Sequence, residues 1–336
     1  MIPDLTFRGT FSSAVRAPNI NELFSPQQPA TIGATQDPCN PQFINAGTEF
    51  RAQNCALFVA PGFDSTNFNS AFVPGLSGGN PDLNEEEADT FTVGAVWQPT
   101  SGVFEGLQVI VDYYNIEITG LIDTLAAFQI AQNCVDLPSI DNPFCDSIFR
   151  DPTDGFITGF VSGEINLGAA EVSGVDFTAN YGFDMPNFLG LKDGGRLDLG
   201  VLGTAFLDNE EIEDPTQPDA VTDIQGEFTT PDWIVNFNAD WTISDFRFGY
   251  NLRFESSQLL PGVTNDDLAN DPLFNAFTRS GSGITHDFTA SYTVTDDIEV
   301  YGGINNAFDH DPFLGTLSRP AGPRGRFFFI GVNASL

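Results

Sequence analysis

Trp233-Ile234-Val235-Asn236-Phe237-Asn238-Ala239-Asp240-Trp241-Thr242-Ile243 is the stretch that decides how this chain is read. Its odd positions hold Trp, Val, Phe, Ala, Trp and Ile. Its even positions after Ile234 hold Asn, Asn, Asp and Thr. Side chains on a strand alternate between faces, so one face is apolar and the other carries amides and a carboxylate. Tryptophan stands at both Trp233 and Trp241 on the apolar face. Their separation is roughly 26 Å at about 3.3 Å per residue. Tilted by about 40°, the stretch covers roughly 20 Å of height, near the apolar band of about 25 Å that aromatic girdles bound in a transmembrane barrel. A strand of a soluble antiparallel sandwich has the same alternation, so the neighbours decide.

Downstream, Ser244-Asp245 is a tight turn into Phe246, Phe248, Tyr250, Leu252 and Phe254, which alternate with Arg247, Asn251, Arg253 and Glu255. After a long loop over 259–282, Phe288, Ala290, Tyr292 and Val294 form the next apolar face. Asp296-Asp297 turns tightly into a strand from Ile298 to about Asn305. A loop with Pro312, Pro320 and Pro323 then leads to Phe328, Ile330, Val332, Ala334 and Leu336. Upstream, strands are predicted over Leu5–Val15, around Phe91–Trp97, over Leu107–Thr119, around Val175–Asp184 and from Arg196 to about Asp208. Residues 18–84 read as one long irregular region. The spacing of Leu121, Leu125, Phe128 and Gln132 predicts a short helix inside a second long connection. Residues 156–166 are either an extra strand or the outer part of the next one.

About ten strands result, and their connections alternate strictly between long and short. A sandwich has no reason to sort its loops by parity. A membrane barrel does, because one side carries tight turns and the other long external loops. The fold class is therefore all-β, an antiparallel transmembrane β-barrel or part of one.

Composition narrows the function classes. The net charge is −34 and Lys192 is the sole lysine, so the chain repels nucleic acid. With 33 Phe against 2 Met, the apolar content leans toward β structure. No run of about 18 apolar residues occurs, so no transmembrane helix is expected, which says nothing against a barrel. No G-x-S-x-G, H-E-x-x-H or Walker lysine motif is present, and no enzyme or cofactor is implied. His286 and His310 lack paired ligand spacing and read as surface or lumen residues.

The four cysteines form two close pairs, Cys39 with Cys55 and Cys134 with Cys145, both in long connections. Two local disulfides in an oxidising compartment are expected, against the alternative of four buried thiols. Glu85-Glu86-Glu87 and the run Asp208 to Asp214 are solvated acidic loops or, more sharply, calcium ligands. Phe63, Phe68 and Phe72, with Phe58, stand as candidates to stack on a ligand, and packing of loop on loop accounts for them equally well.

Several motifs in order resemble the TonB-dependent receptors of Gram-negative outer membranes. Arg16-Ala17-Pro18-Asn19 with Glu22-Leu23-Phe24 resembles the family's passage into a large external loop. Gly79-Asn80-Pro81-Asp82-Leu83 with Glu85-Glu86 resembles its passage back. Asp112-Tyr113-Tyr114-Asn115-Ile116-Glu117-Ile118 and Gly174-Val175-Asp176 resemble its barrel strands. Asn305-Asn306-Ala307-Phe308-Asp309 and Gly325-Arg326-Phe327-Phe328-Phe329 resemble its last two strands. Family barrels end in an aromatic residue, and this chain ends in Leu336.

The resemblance implies a 22-stranded barrel, of which residues 1–336 are the C-terminal part, an open curved sheet without the plug domain. It implies uptake of a scarce nutrient such as a siderophore-iron, cobalamin or a saccharide. The implied partners are outer-membrane lipid, the nutrient ligand, and the TonB inner-membrane complex, reached through the plug. A passive porin and a soluble secreted β-sandwich remain as rival readings.

Overall fold

The computed structural model describes residues 4–67, 71–187, 194–212, 221–260, 278–313 and 324–335. Phe68, Lys192, Asp214, Pro320, Pro323 and Leu336 lie outside these. The strands are β1 (Leu5–Arg16), β2 (Gln28–Gly33), β3 (Phe72–Gly78), β4 (Glu86–Trp97), β5 (Leu107–Thr124), β6 (Ile148–Arg150) and β7 (Ile157–Asp184). They continue as β8 (Arg196–Ile212), β9 (Thr222–Asp223), β10 (Trp233–Ile243), β11 (Phe246–Glu255), β12 (Gly283–Thr295), β13 (Ile298–Asn305) and β14 (Phe327–Ala334). Four helices lie between them: α1 (Ile20–Phe24), α2 (Arg51–Phe58), α3 (Ala127–Asp136) and α4 (Pro143–Asp146).

The main sheet runs β1-β4-β5-β7-β8-β10-β11-β12-β13-β14, each strand antiparallel to the next. These are the ten strands that alternation predicts. β1 and β14 are the two ends of the order, so the sheet is open. Tight turns at 244–245 and 296–297 join strands on one side. Ser244 takes a positive φ of 51° in the first of them. The long connections all leave from the other side.

Register shows what alternation accomplishes. One row crosses eight strands as Phe7, Ala95, Val111, Phe177, Gly203, Val235, Phe254 and Ile284. This outward face is apolar and carries aromatic pairs such as Trp241 on Phe248, 5.5 Å between ring centroids. Phe7 is 71% and Ile330 84% exposed, so no protein covers the face there. The opposite face holds a polar row of Gln108, Asn180, Gly200, Asn238, Asn251 and Asp287. Its charges pair locally, with Arg247 donating to Asp240 at 3.0 Å and Arg8 bridging to Asp112. His286 falls in an outward row, half-buried, with its Nδ1 2.8 Å from the Tyr250 hydroxyl.

Beyond the apolar band the outward face turns acidic. Asp89, Glu117, Glu171, Glu210 and Asp223 stand in register on five successive strands. Asn115 donates to Glu171 at 2.7 Å, and Ser173 to Asp208 at 2.6 Å. These strands continue past the band into the external loops.

Two expectations need correction, and one open alternative is decided. Residues 18–84 are not structureless: they hold α1, α2 and the β2–β3 hairpin. The helix begins at Ala127, and Leu121 is on β5, because the β5 ladder with β7 continues to Thr124. Residues 157–166 are the outer part of one 28-residue strand, β7.

The buried hydrophobic core lies among the loops. Its members run from Ala34 and Val73 through Ile130, Ala131, Val135 and Phe144 to Ile157 and Phe160. The ten-strand sheet adds no second layer, as expected where lipid would be the solvent of its outer face.

An arginine at Phe237, which packs on Tyr250 on the outward face, is expected to cost about 2–4 kcal/mol of barrel stability. An arginine at Asn238, on the polar face, is expected to cost far less. Denaturant unfolding in detergent micelles compares the two, and equal losses would show a sheet covered on both faces.

Candidate functional site

The polypeptide leaves the sheet at Arg16 and returns at Glu86, and these two residues are register partners. Arg16 holds Glu86 with Nε and Nη2, the latter at 2.6 Å, and reaches Glu22 with Nη1 at 3.1 Å. Glu22 completes a capping box with Asn19: the Asn19 side chain accepts from the N–H of Glu22, and Glu22 accepts from the N–H of Asn19 at 2.8 Å. The returning segment docks on that helix. Gly79 N–H donates to the Ser25 carbonyl and Asn80 N–H to the Glu22 carbonyl at 2.8 Å. A Cβ at Gly79 would lie 2.6 Å from the Ser25 nitrogen, so this approach requires glycine. The Arg-Ala-Pro-Asn and Gly-Asn-Pro-Asp-Leu motifs are thus two halves of one knot.

The knot is tied to the outer strands as well. Asn80 Nδ2 donates to the Glu164 carbonyl at 3.0 Å. Asn84 and Asn166 exchange hydrogen bonds at 2.8 and 3.0 Å. Glu86 also accepts from the Ile122 N–H at 2.9 Å. The Arg16 hydrogen bonds hold the Glu86 carboxyl below its ordinary pKa, with the Ile122 N–H assisting against partial burial.

Above the knot the loops fold on one another. Cys39 bonds Cys55 and Cys134 bonds Cys145, tethering α2 and joining α3 to α4. Two ion pairs are buried with them. Arg51 pairs with Asp136 and also donates to the Phe43 carbonyl at 2.9 Å. Arg150 reaches both oxygens of Asp37 at 2.7 and 2.8 Å and lies over the Phe58 ring. Losing one partner of such a pair strands a charge, at about 3–5 kcal/mol. β3 runs parallel to the outer end of β7, and Gly163 lets the two backbones meet.

A cavity of about 500 Å³ lies between α3, α4 and β7. Ile130 on α3, Leu137 just past it and Phe144 on α4 form one wall, and Val161 and Ile165 on β7 the other. The polar residues Gln27, Asn80, Glu164 and Asn166 also line it. The cavity is missing from the sequence reading, although Asn80 belongs to a motif that it quotes.

Two of the phenylalanine candidates, Phe58 and Phe63, are engaged in loop packing. Phe63 stacks on Phe156 at 5.1 Å and packs against the core. Phe58 is spent on Arg150, and Phe72 is exposed on β3. Phe68 lies outside the described residues. Among the described residues no group of three or more His, Cys, Asp and Glu side chains is placed to hold a metal ion.

An antiparallel sheet, apolar outside and polar inside, with tight turns on one side and folded loops on the other, defines part of a transmembrane β-barrel. The family model described as TonB dependent receptor-like, beta-barrel matches residues 1–307, and the chain belongs to that family. It is 25% identical over 256 residues to the vitamin B12 transporter BtuB of Photobacterium profundum, covering 74% of this chain and 30% of that protein. A ferric enterobactin receptor structure from Pseudomonas aeruginosa aligns over all of this chain and 39% of its own, with a TM-score of 0.57 and 15% identity. The siderophore receptor PirA of Acinetobacter baumannii aligns over 100% and 40%, with a TM-score of 0.57 and 13% identity. At such identity the two structures speak for the fold alone. The chain spans less than half the length of these relatives.

Two outcomes follow from the loop geometry. Lowering a carboxyl's pKa on folding gives stability that is present above its ordinary value and lost as pH falls through the folded value. Glu86 therefore clamps the loop at neutral pH, and the protection of residues 17–27 against hydrogen exchange, taken relative to the intrinsic rate at each pH, should be lost as the pH falls below the ordinary glutamate range. In Glu86→Gln the segment should exchange fast at neutral pH and lose that pH dependence. The disulfides close separations of 16 and 11 residues, each worth about 3 kcal/mol to the loops. Reduction should open residues 34–66 and 127–148 to protease while the sheet resists, and unchanged cleavage would show that the loops do not need the bonds.

Proposed function

We propose that this chain is part of an outer-membrane receptor that captures a scarce nutrient and passes it inward with energy from the TonB complex. The family match carries the reading, because it joins a barrel wall to a receptor function. The disulfide-stapled loops add a folded surface where capture can occur. In the whole protein a plug domain would fill the polar lumen and contact TonB. Residues 1–336 would then be the C-terminal part of the barrel. The work is binding and gating, and no covalent bond is made or broken.

The candidate nutrients are cobalamin, which the name of the BtuB relative supports, a siderophore-iron and a saccharide. The test is uptake by the source bacterium under iron or cobalamin limitation, with and without the gene. Deletion should abolish uptake of one nutrient, and collapsing the proton gradient should abolish it equally. Uptake that survives that collapse would point to a passive pore, and uptake that survives deletion would refute the receptor reading.

A further inference from the structure

The cavity between α3, α4 and β7 has a chemistry of its own. Ile130, Leu137, Phe144 and Val161 give it an apolar lining, and its volume of about 500 Å³ falls within the range of small-molecule sites. Among the described residues Glu164 is the sole charged one that lines it. The Glu164 carbonyl is taken by Asn80, but its carboxylate has no hydrogen-bond or ion-pair partner among the described residues. The nearby module's arginines cannot serve an anion, because Arg51 and Arg150 are buried against Asp136 and Asp37. A net charge of −34 deepens the preference by repelling anions and drawing cations.

The walls are also fixed in place. Leu137 and Phe144 lie within the loop that the Cys134–Cys145 bond closes. Val161 and Glu164 belong to β7, which runs unbroken into the barrel sheet. A ligand held there touches a stapled loop and a barrel strand at once.

We propose that this cavity is the capture site of the receptor and that it takes an organic cation with an apolar body, the charge seated on Glu164. The proposal rests on the nutrient-receptor reading and names its substrate class. An anionic chelate would meet an unpaired carboxylate and, among the described residues, no cation lining the cavity.

The test uses the full-length receptor in detergent with two probes that share one fluorophore, dansylcadaverine, an amine, and dansylglycine, a carboxylate. Dansylcadaverine is expected to bind about tenfold more tightly, the scale of one charge-assisted contact. Glu164→Gln should remove most of that difference. Val161→Trp, placed at an exposed position on the strand wall, should fill the cavity and abolish binding of both probes with both disulfides intact. Equal binding of the two probes, or binding that Val161→Trp leaves unchanged, overturns the site. Cells that display Val161→Trp receptor at the normal level and keep normal nutrient uptake overturn its assignment as the capture site, while the receptor reading stands. Cells without the gene that keep full uptake overturn the receptor reading instead, and the probe preference is still read on the purified protein.

Discussion

A strand in hydrocarbon must pair every backbone N–H and C=O with another strand, because no water is present to take them. The ladder from β1 to β14 is this constraint made visible. It sets the side-chain period at two, and with it the separation of Phe237 and Val235 from Asn236 and Asn238. It also explains where the chain is irregular. Loops with free backbone groups can form only where water returns, so the helices, the hairpin and the disulfides gather on one side of the sheet. β7 shows the transition within one element. Its inner half carries Phe177 on the apolar face, its middle carries Glu171 and Ser173, and its outer end carries Phe160 into the loop core.

Where the strands reach water, a different problem arises. An excursion of about seventy residues costs loop-closure entropy, and its ends must be fixed if the loops are to hold a shape. The Arg16–Glu22–Glu86 cluster fixes them, with the Asn19 capping box on one side and Asn80 on the other. The module above then folds as a small soluble domain would. It has a dry core, two local crosslinks and two buried ion pairs whose polar atoms are nearly all satisfied. The Arg150 Nε is the exception, buried without a hydrogen-bond partner, its guanidinium stacked on Phe58.

The sheet was legible because its information is local. Alternation over Trp233–Ile243 needs no knowledge of any other strand, and the parity of loop lengths supplied the topology. The loop core was not legible, because its contacts are distant in sequence. Arg51 finds Asp136 across 85 positions and Arg150 finds Asp37 across 113. Nothing local marks these as partners. The helix boundary failed for a related reason. Leu121 and Leu125 stand four apart, which suits a helix face, and Leu121 also continues the β5 pattern. Pairing with β7 through Thr124 decided for the strand. The cysteine pairs were readable because their partners are near. Phe63 follows the packing alternative, since an aromatic side chain in a loop with its own core is first of all material for that core.

The same division explains why the cavity sits where it does. Within the sheet the two faces are committed, one to lipid and one to the lumen, and neither can close around a ligand alone. An enclosed pocket needs a second layer, and among the described residues the loop module supplies one. The cavity lies at the seam where that module meets the outer end of β7 and the returning knot at Asn80. At this seam apolar side chains of the loop core are still available, while the strand begins to present carboxylates. An apolar pocket with one unpaired acid is what such a junction produces. Its charge sign follows from the acidic zone that caps the apolar band, where Asp89, Glu117, Glu171 and Glu210 already stand side by side.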